Sequence, residues 1–247
     1  KMQTRRNWIR SSIGLGGLLL APELALSKEE IRKFNPRPLS KTIKLSSNEN
    51  PYGPSEKVQK AVIKAFDNGC RYPRVYSSAL AKKLAKLHGV SPENIIITGG
   101  STEGLKITGL TFANGGGEII AAKPTFLAMM DFAEQWGAKI SWIPVGDDKG
   151  YDLNTINNRI NNNTKLVFLC NPNNPTGTVV GKNSLIDFCS SASKKTIIFS
   201  DEAYYDFIQT PNYPSMDSFV REGKNVIVSK TFSKVYGLAG FRIGYLI

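Results

Sequence analysis

The chain has 247 residues, of which 41% are hydrophobic, so it is long enough for one large globular domain and part of a second. Its formal net charge is +12, but the positive residues form no stripe, which argues against nucleic-acid binding; an anionic ligand is enough to explain the excess. The three cysteines are far apart and show no CxxC spacing, which argues against a metal site or a disulfide framework.

The N-terminus has the features of an export signal. Adjacent arginines (Arg5, Arg6) precede Trp8 and a short apolar run, Ile13–Ala21, which together predict a twin-arginine signal over residues 1–27. The run is about half of the ~20 residues that a membrane span needs, so no stable membrane span is expected. This interpretation places the mature protein in the periplasm or otherwise beyond the inner membrane. A basic N-terminal helix on a cytoplasmic protein is the alternative.

Residues 28–56 are predicted to form an N-terminal arm that ends in a turn-rich loop, because Asn-Pro and Gly-Pro steps close the polar run 46–55. Two amphipathic helices should follow, Glu56–Asn68 and Ser78–Leu87, with an extended turn at Tyr72-Pro73 between them. The second helix places Leu80, Leu84 and Leu87 on one face. The only histidine, His88, is expected to cap the end of that helix, and this nearly excludes a histidine base.

Residues 57–247 are predicted to form one large α/β domain, because strands and helices alternate from about residue 94 onwards. This pattern predicts a mostly parallel seven-stranded sheet with helices on both faces. The predicted strands are Asn94–Thr98, Glu118–Ala122, Ile140–Pro144, Lys165–Cys170, Thr196–Ser200, Asn225–Val228 and Arg242–Ile247.

Polar groups follow several of these strands, at the sheet edge where ligands of open α/β folds bind. The first strand leads into a glycine-rich helix start, where Gly100, Ser101 and Thr102 would bind an anion. After the fourth strand, two Asn-Pro steps form a rigid loop that fixes the amide of Asn174. The fifth strand leads into Asp201-Glu-Ala-Tyr204, which adds a carboxylate and a phenol.

The stretch Ser229–Tyr245 carries the most specific pattern. It offers two hydroxyls, an amine and a fixed cation, in the order Thr231, Ser233, Lys234 and Arg242. An amine flanked by hydroxyls and an arginine suits a lysine that forms a Schiff base with an aldehyde beside a bound phosphate.

Together these motifs resemble the fold-type I pyridoxal-phosphate-dependent aminotransferases of class I/II, over residues 44–245. The spacing from Lys234 to Gly240 and Arg242 is most similar to the histidinol-phosphate aminotransferase branch. The resemblance implies pyridoxal 5′-phosphate as cofactor, with Lys234 as Schiff-base lysine and general acid–base. It also implies that Asp201 faces the pyridine nitrogen, and that Asn174 and Tyr204 bond to the phenolic oxygen.

The same resemblance implies further contacts. Phe126 would stack on the pyridine ring, Tyr72 would reach the partner's cofactor phosphate in a homodimer, and Asn50 and Tyr52 would lie near the substrate. The substrates would be a small amino donor, histidinol-phosphate-like or an aromatic amino acid, and a 2-oxo acid. The chain begins with Lys1 and stops inside a predicted strand, so we expect a fragment without the family's C-terminal small domain and its substrate-binding arginine.

Two alternatives share these motifs. The first is a pyridoxal-phosphate-dependent decarboxylase of the threonine-phosphate type, because the same electron sink serves either bond cleavage. The second is a non-catalytic cofactor-binding module, as in transcription regulators, where a DNA-binding domain precedes the fold. The apparent export signal occupies that position here and argues against the regulator.

Overall fold

A computed structural model of the protein describes residues 44–247. The predicted export signal, residues 1–27, and most of the arm at 28–56 lie outside the described residues, and the predicted domain boundaries stay a prediction. The chain divides into two compact units, of which one contains Glu56–Cys70 and the other contains Ser46–Ser55 and Arg71–Ile247. In the first unit, helix α1 (Glu56–Ala65) is followed by a 3-10 turn at Phe66–Asn68, so the predicted helix ends three residues early.

The second unit is built on a seven-stranded sheet with the order β1-β7-β6-β5-β4-β2-β3. Strands β2 to β6 run parallel to one another, and β7 pairs antiparallel with both β1 and β6. The prediction of a mostly parallel seven-stranded sheet is therefore confirmed. The strands are β1 (Ile96–Thr98), β2 (Glu118–Lys123), β3 (Lys139–Pro144), β4 (Thr164–Cys170), β5 (Ile197–Asp201), β6 (Val226–Thr231) and β7 (Gly244–Leu246).

Helices follow the strands on both sides of the sheet. Side chains of each central strand alternate between two buried clusters; in β4, for example, Val167 belongs to one cluster and Phe168 to the other. A sheet buried on both faces explains why its strands are nearly continuous apolar runs. Within residues 44–247, no helix is long and apolar enough to cross a membrane. The helices of this unit are α2 (Arg74–His88), α3 (Ser101–Ala113), α4 (Ala128–Glu134), α5 (Leu153–Arg159), α6 (Lys182–Ala192) and α7 (Asp217–Arg221).

Three strand ends differ from their predicted positions in ways that affect the site. Strands β5 and β6 continue to Asp201 and Thr231, so the pleat of the sheet fixes the directions of these two side chains. Strand β7 begins only at Gly244, because Arg242 has a left-handed backbone with φ of 53°. The Arg242 side chain therefore projects from a tight turn and not from a strand.

The predicted apolar face of α2 is partly wrong. Leu84 is buried, but Leu87 is 73% exposed, and His88 occupies the buried position one turn after Leu84. The His88 ring lies between Asp217 (Nδ1 to Oδ2, 2.7 Å) and Tyr245 (Nε2 to OH, 3.0 Å). The left-handed cap of the helix is Gly89, so His88 joins α2 to α7 and β7 and does not cap the helix.

Candidate active site

The carboxyl ends of β4, β5 and β6 and the first turn of α3 surround a cavity of about 650 Å³. Parallel strands end at the same edge of a sheet, which is why residues distant in sequence meet here. Ten of the predicted site residues line this cavity: Ser101, Thr102, Phe126, Asn174, Asp201, Tyr204, Thr231, Ser233, Lys234 and Arg242.

One end of the cavity is rich in donors for an anion. Hydroxyls of Ser101, Thr102, Thr231 and Ser233 line it together with the Arg242 guanidinium, whose Nη1 donates to Ser233 Oγ at 3.3 Å. Gly100 permits this arrangement, since a Cβ there would lie 2.3 Å from Arg242 Nη2. Hydroxyls, an arginine and a helix N-terminus at one point favour a phosphate group.

Asp201 provides the cavity with a buried acidic group, in contrast to the anion-binding groups just described. Its carboxylate is only 2% exposed and accepts a hydrogen bond from Ala203 N at 3.2 Å. Burial raises the pKa of Asp201 to about 7, with a smaller contribution from Glu202, while the Ala203 N–H and Lys234 act in the other direction. A cationic ligand atom beside this carboxylate would therefore restore its ionised form.

Lys234 and Tyr204 share one wall of the cavity. Lys234 Nζ donates to Ser47 O at 2.9 Å and lies 5.4 Å from the centroid of the Tyr204 ring. The Tyr204 hydroxyl accepts a hydrogen bond from Asn48 Nδ2 at 3.0 Å. An amine that can carry a proton and a phenol that can donate one thus face the same space, and Asn174 also lines it.

The family model of aminotransferase class I and II matches residues 40–247. The chain belongs to this family. Solved structures agree: the chain superposes with a TM-score of 0.75 and 29% identity on the histidinol-phosphate aminotransferase of Sinorhizobium meliloti in complex with pyridoxal-5′-phosphate. The superposition covers 81% of this chain and 54% of that chain.

Curated relatives give the same assignment. The chain is 41% identical over 209 residues to the histidinol-phosphate aminotransferase of Caldicellulosiruptor saccharolyticus, covering 85% of this chain and 58% of the relative. It is 42% identical over 204 residues to that of Moorella thermoacetica, covering 82% and 53% respectively. The chain thus spans just over half the length of these aminotransferases.

Four predicted site residues do not line the cavity: Gly100, which lies behind Arg242, and Asn50, Tyr52 and Tyr72. Asn50 Nδ2 donates to Val235 O at 2.9 Å, Tyr52 is 92% exposed, and Tyr72 is 97% exposed. The loop Ser46–Ser55 does reach the site, but through Ser47, Asn48 and Glu49. The roles predicted for Asn50, Tyr52 and Tyr72 stay predictions.

The loop Ser46–Ser55 carries two consecutive left-handed residues that were not predicted from the sequence, Ser47 (φ 71°) and Asn48 (φ 49°). This backbone turns the carbonyl of Ser47 toward Lys234. The C-terminal part of the same loop packs closely against Gly237, where only a glycine fits, because a Cβ there would lie 2.3 Å from Gly53 C. Asn is among the few residues that tolerate this conformation, so the Ser-Ser-Asn run was the available signal.

Two supporting groups were also missed. Asn173, which precedes Asn174, is buried and bonds to Thr125, Pro124 and Thr176. Glu202, which follows Asp201, is buried against Lys230. Both stand next to residues that were recognised, and neither lines the cavity. Among residues 44–247, no cluster of three or more His, Cys, Asp or Glu side chains could hold a metal ion.

Proposed function

We propose that the protein is a pyridoxal-phosphate-dependent aminotransferase. It would move an amino group between an amino donor, histidinol-phosphate-like or an aromatic amino acid, and a 2-oxo acid. The observation that carries this proposal is one cavity that combines the Lys234 amine, the buried Asp201 carboxylate and a phosphate-type anion site. The names of the relatives support amine transfer over the decarboxylase alternative.

The residues present fit pyridoxal 5′-phosphate. The phosphate would be held by Arg242 and the hydroxyls of Ser101, Thr102, Thr231 and Ser233. Phe126 offers an aromatic face for the ring. Burial raises the pKa of Asp201, so its carboxylate favours a cationic partner, and a protonated ring nitrogen would be such a partner. Lys234 would hold the aldehyde end covalently.

When bound, pyridoxal phosphate supplies an electron sink for negative charge at the substrate's α-carbon. The Asp201 carboxylate would hold positive charge at the ring nitrogen, which would strengthen that sink. Asn174 and Tyr204 would donate hydrogen bonds to an oxygen of the cofactor. The Lys234 amine would carry the proton at the substrate's α-carbon as general acid–base.

The proposal extends to assembly and location. We infer a homodimer in which Tyr72 reaches the partner's phosphate site, because this tyrosine is almost fully exposed in the single chain. We also propose export through the twin-arginine route, on the strength of Arg5, Arg6 and the apolar run that follows. Cell fractionation of the protein and of an Arg5→Lys, Arg6→Lys variant tests the export proposal, since the variant should stay in the cytoplasm.

Replacing Lys234 tests the function directly. Lys234→Ala should abolish the visible absorbance of the lysine-bound cofactor and lower amine transfer by about 10²–10⁴-fold or more, because the covalent link and the proton carrier are lost together. Lys194→Ala, at an exposed lysine, is the matched control and should behave as wild type. Near-normal transfer by Lys234→Ala contradicts the proposal, and carbon dioxide released in step with substrate use favours the decarboxylase.

A further inference from the structure

Tyr151 lies in the connection between β3 and α5 and does not line the cavity. Its hydroxyl nevertheless sits between the two loops that carry the aromatic and amide contacts of the site. One is the loop Pro124–Leu127 after β2, which bears Phe126. The other is the loop Asn171–Gly177 after β4, which bears Asn174.

The hydroxyl of Tyr151 bonds directly to the second loop and to the end of β4. It lies 2.8 Å from Asn173 Oδ1 and 2.9 Å from Cys170 O, and it accepts a hydrogen bond from Cys170 N at 3.2 Å. The single hydroxyl proton serves either oxygen acceptor, one at the end of β4 and the other in the loop that directly follows it. Because burial raises the pKa of Tyr151, the hydroxyl keeps its proton at neutral pH and the contact does not itself titrate.

Asn173 extends this contact to the first loop. Its Oδ1 accepts a hydrogen bond from Thr125 Oγ1 at 2.8 Å, and its Nδ2 donates to Pro124 O at 3.1 Å and to Thr176 Oγ1 at 2.8 Å. The Thr125 hydroxyl also lies 3.3 Å from the Tyr151 hydroxyl. Tyr151, Thr125 and Asn173 therefore form one connected group in which each member contacts the other two.

Two members of this group are directly bonded in sequence to residues that line the cavity. Thr125 immediately precedes Phe126, and Asn173 immediately precedes Asn174. Thr125 and Asn173 are both buried, so neither can shift without moving its neighbour. The hydrogen bonds that Tyr151, Thr125 and Asn173 share thus connect the backbone beside the Phe126 ring to the backbone beside the Asn174 amide.

We propose that Tyr151 is a positioning residue for the reaction, whose hydroxyl fixes Phe126 relative to Asn174 and thereby sets how tightly and at what angle the cofactor is held. This inference rests on the proposed function. It assigns a role to a residue outside the cavity. The role belongs to the hydroxyl of Tyr151 and not to its ring, which packs against the apolar core whether or not the hydroxyl is present.

The test compares Tyr151→Phe with Tyr245→Phe in the intact protein, stripped of cofactor and retitrated with pyridoxal 5′-phosphate. Both changes delete one tyrosine hydroxyl, but the Tyr245 hydroxyl bonds to His88 and to neither cavity loop. Tyr151→Phe removes the hydroxyl that contacts both Asn173 and Thr125, so the two loops are held less firmly and we expect cofactor affinity to fall about tenfold. We also expect a shifted pH midpoint of the visible band, because Asn174 no longer donates at the same angle. Tyr245→Phe should leave both quantities as in wild type.

The outcomes separate the two proposals. If Tyr151→Phe lowers only the melting temperature and keeps the wild-type affinity and pH midpoint, the hydroxyl is merely structural and the inference is overturned, while the proposed function stands. If the wild-type protein binds no pyridoxal phosphate, the proposed function falls and this inference with it. If Tyr151→Phe does not fold, Thr125→Val takes its place, since it removes the other donor to Asn173 Oδ1 and should weaken cofactor binding in the same way.

Discussion

The two acids at the end of β5 are adjacent in sequence and equally buried, yet they face different surroundings. Asp201 is 2% exposed and Glu202 is 4% exposed. Glu202 Oε2 lies 2.7 Å from Lys230 Nζ and accepts from Ser215 Oγ at 2.7 Å, while Oε1 accepts from Met216 N at 2.8 Å. Asp201 lines the cavity and accepts from a backbone N–H.

This difference shows how one strand end can serve both stability and function. A buried carboxylate costs free energy unless cations and donors surround it. The Glu202 side chain is surrounded by partners from β6 and from the segment before α7, so its buried charge is compensated within the fold. Within residues 44–247, Asp201 has no comparable set of donors and cations, and its raised pKa marks a site that a cationic ligand atom would complete.

The largest expected effect comes from unpairing Glu202. Lys230→Met should lower the free energy of unfolding by about 3–5 kcal/mol, because it leaves a buried charge without its cation. Urea unfolding of the cofactor-free protein measures this. The control is Lys60→Met, which breaks the exposed Lys60–Glu56 pair and should cost less than about 1 kcal/mol. Equal effects of the two changes would mean that burial does not distinguish these pairs.

Asp201→Asn should have the opposite effect on the stability of the cofactor-free protein. The unfolded chain ionises Asp201 near 3.8, while the folded protein keeps the proton until about pH 7. The unfolded state therefore binds fewer protons between these values, so this group lowers the free energy of unfolding as pH rises from about 4 to 7. Asn does not titrate. Between pH 5 and pH 8, the free energy of unfolding of the variant should therefore rise by roughly 3 kcal/mol relative to that of wild type.

Unfolding curves of wild type and Asp201→Asn at several pH values check this. The same variant should lower amine transfer by about 10²–10³-fold, since the charge that complements the ring nitrogen is lost. A difference in stability that stays constant with pH would show that Asp201 is ionised throughout and that the contrast with Glu202 is not electrostatic.

The smallest effect is expected at Ser215, which donates a hydrogen bond to Glu202 and does not line the cavity. Ser215→Ala should cost about 1.5–3 kcal/mol of unfolding free energy, because a hydrogen bond to a charged group is lost while Lys230 remains. Pyridoxal phosphate affinity should not change. A loss of affinity on titration would mean that the Glu202 side of the strand end also positions the cofactor.

Most of the fold could be predicted from sequence, because the alternation of apolar strands and helices is a local property. All seven strands were found, and Leu84 was correctly placed in the core. The predicted burial of Leu87 was wrong, because a short helix of alternating Leu, Ala and Lys leaves the exact buried face undetermined. Contacts with Asp217 and Tyr245 place His88 on the buried face instead.

The candidate site was predicted where a residue type and its neighbours constrain the chemistry, as at Lys234, Asp201 and Asn174. Asn48 was not predicted as a cavity residue, because the Ser-Ser-Asn run indicates a left-handed turn but not that this turn lies against Lys234. Tyr151 could not be predicted either, since its partners are at least 19 residues away in sequence.

The sequence by itself determined the order of strands and helices, the family and the residues with reactive groups, because these follow from local periodicity and from motifs within a single loop. Only the tertiary structure decided which of two adjacent acids, Asp201 or Glu202, is fully paired, and which loop residues reach the cavity. The physical reason is that burial and pairing are set by groups from other strands and loops, and no local pattern records which groups will meet.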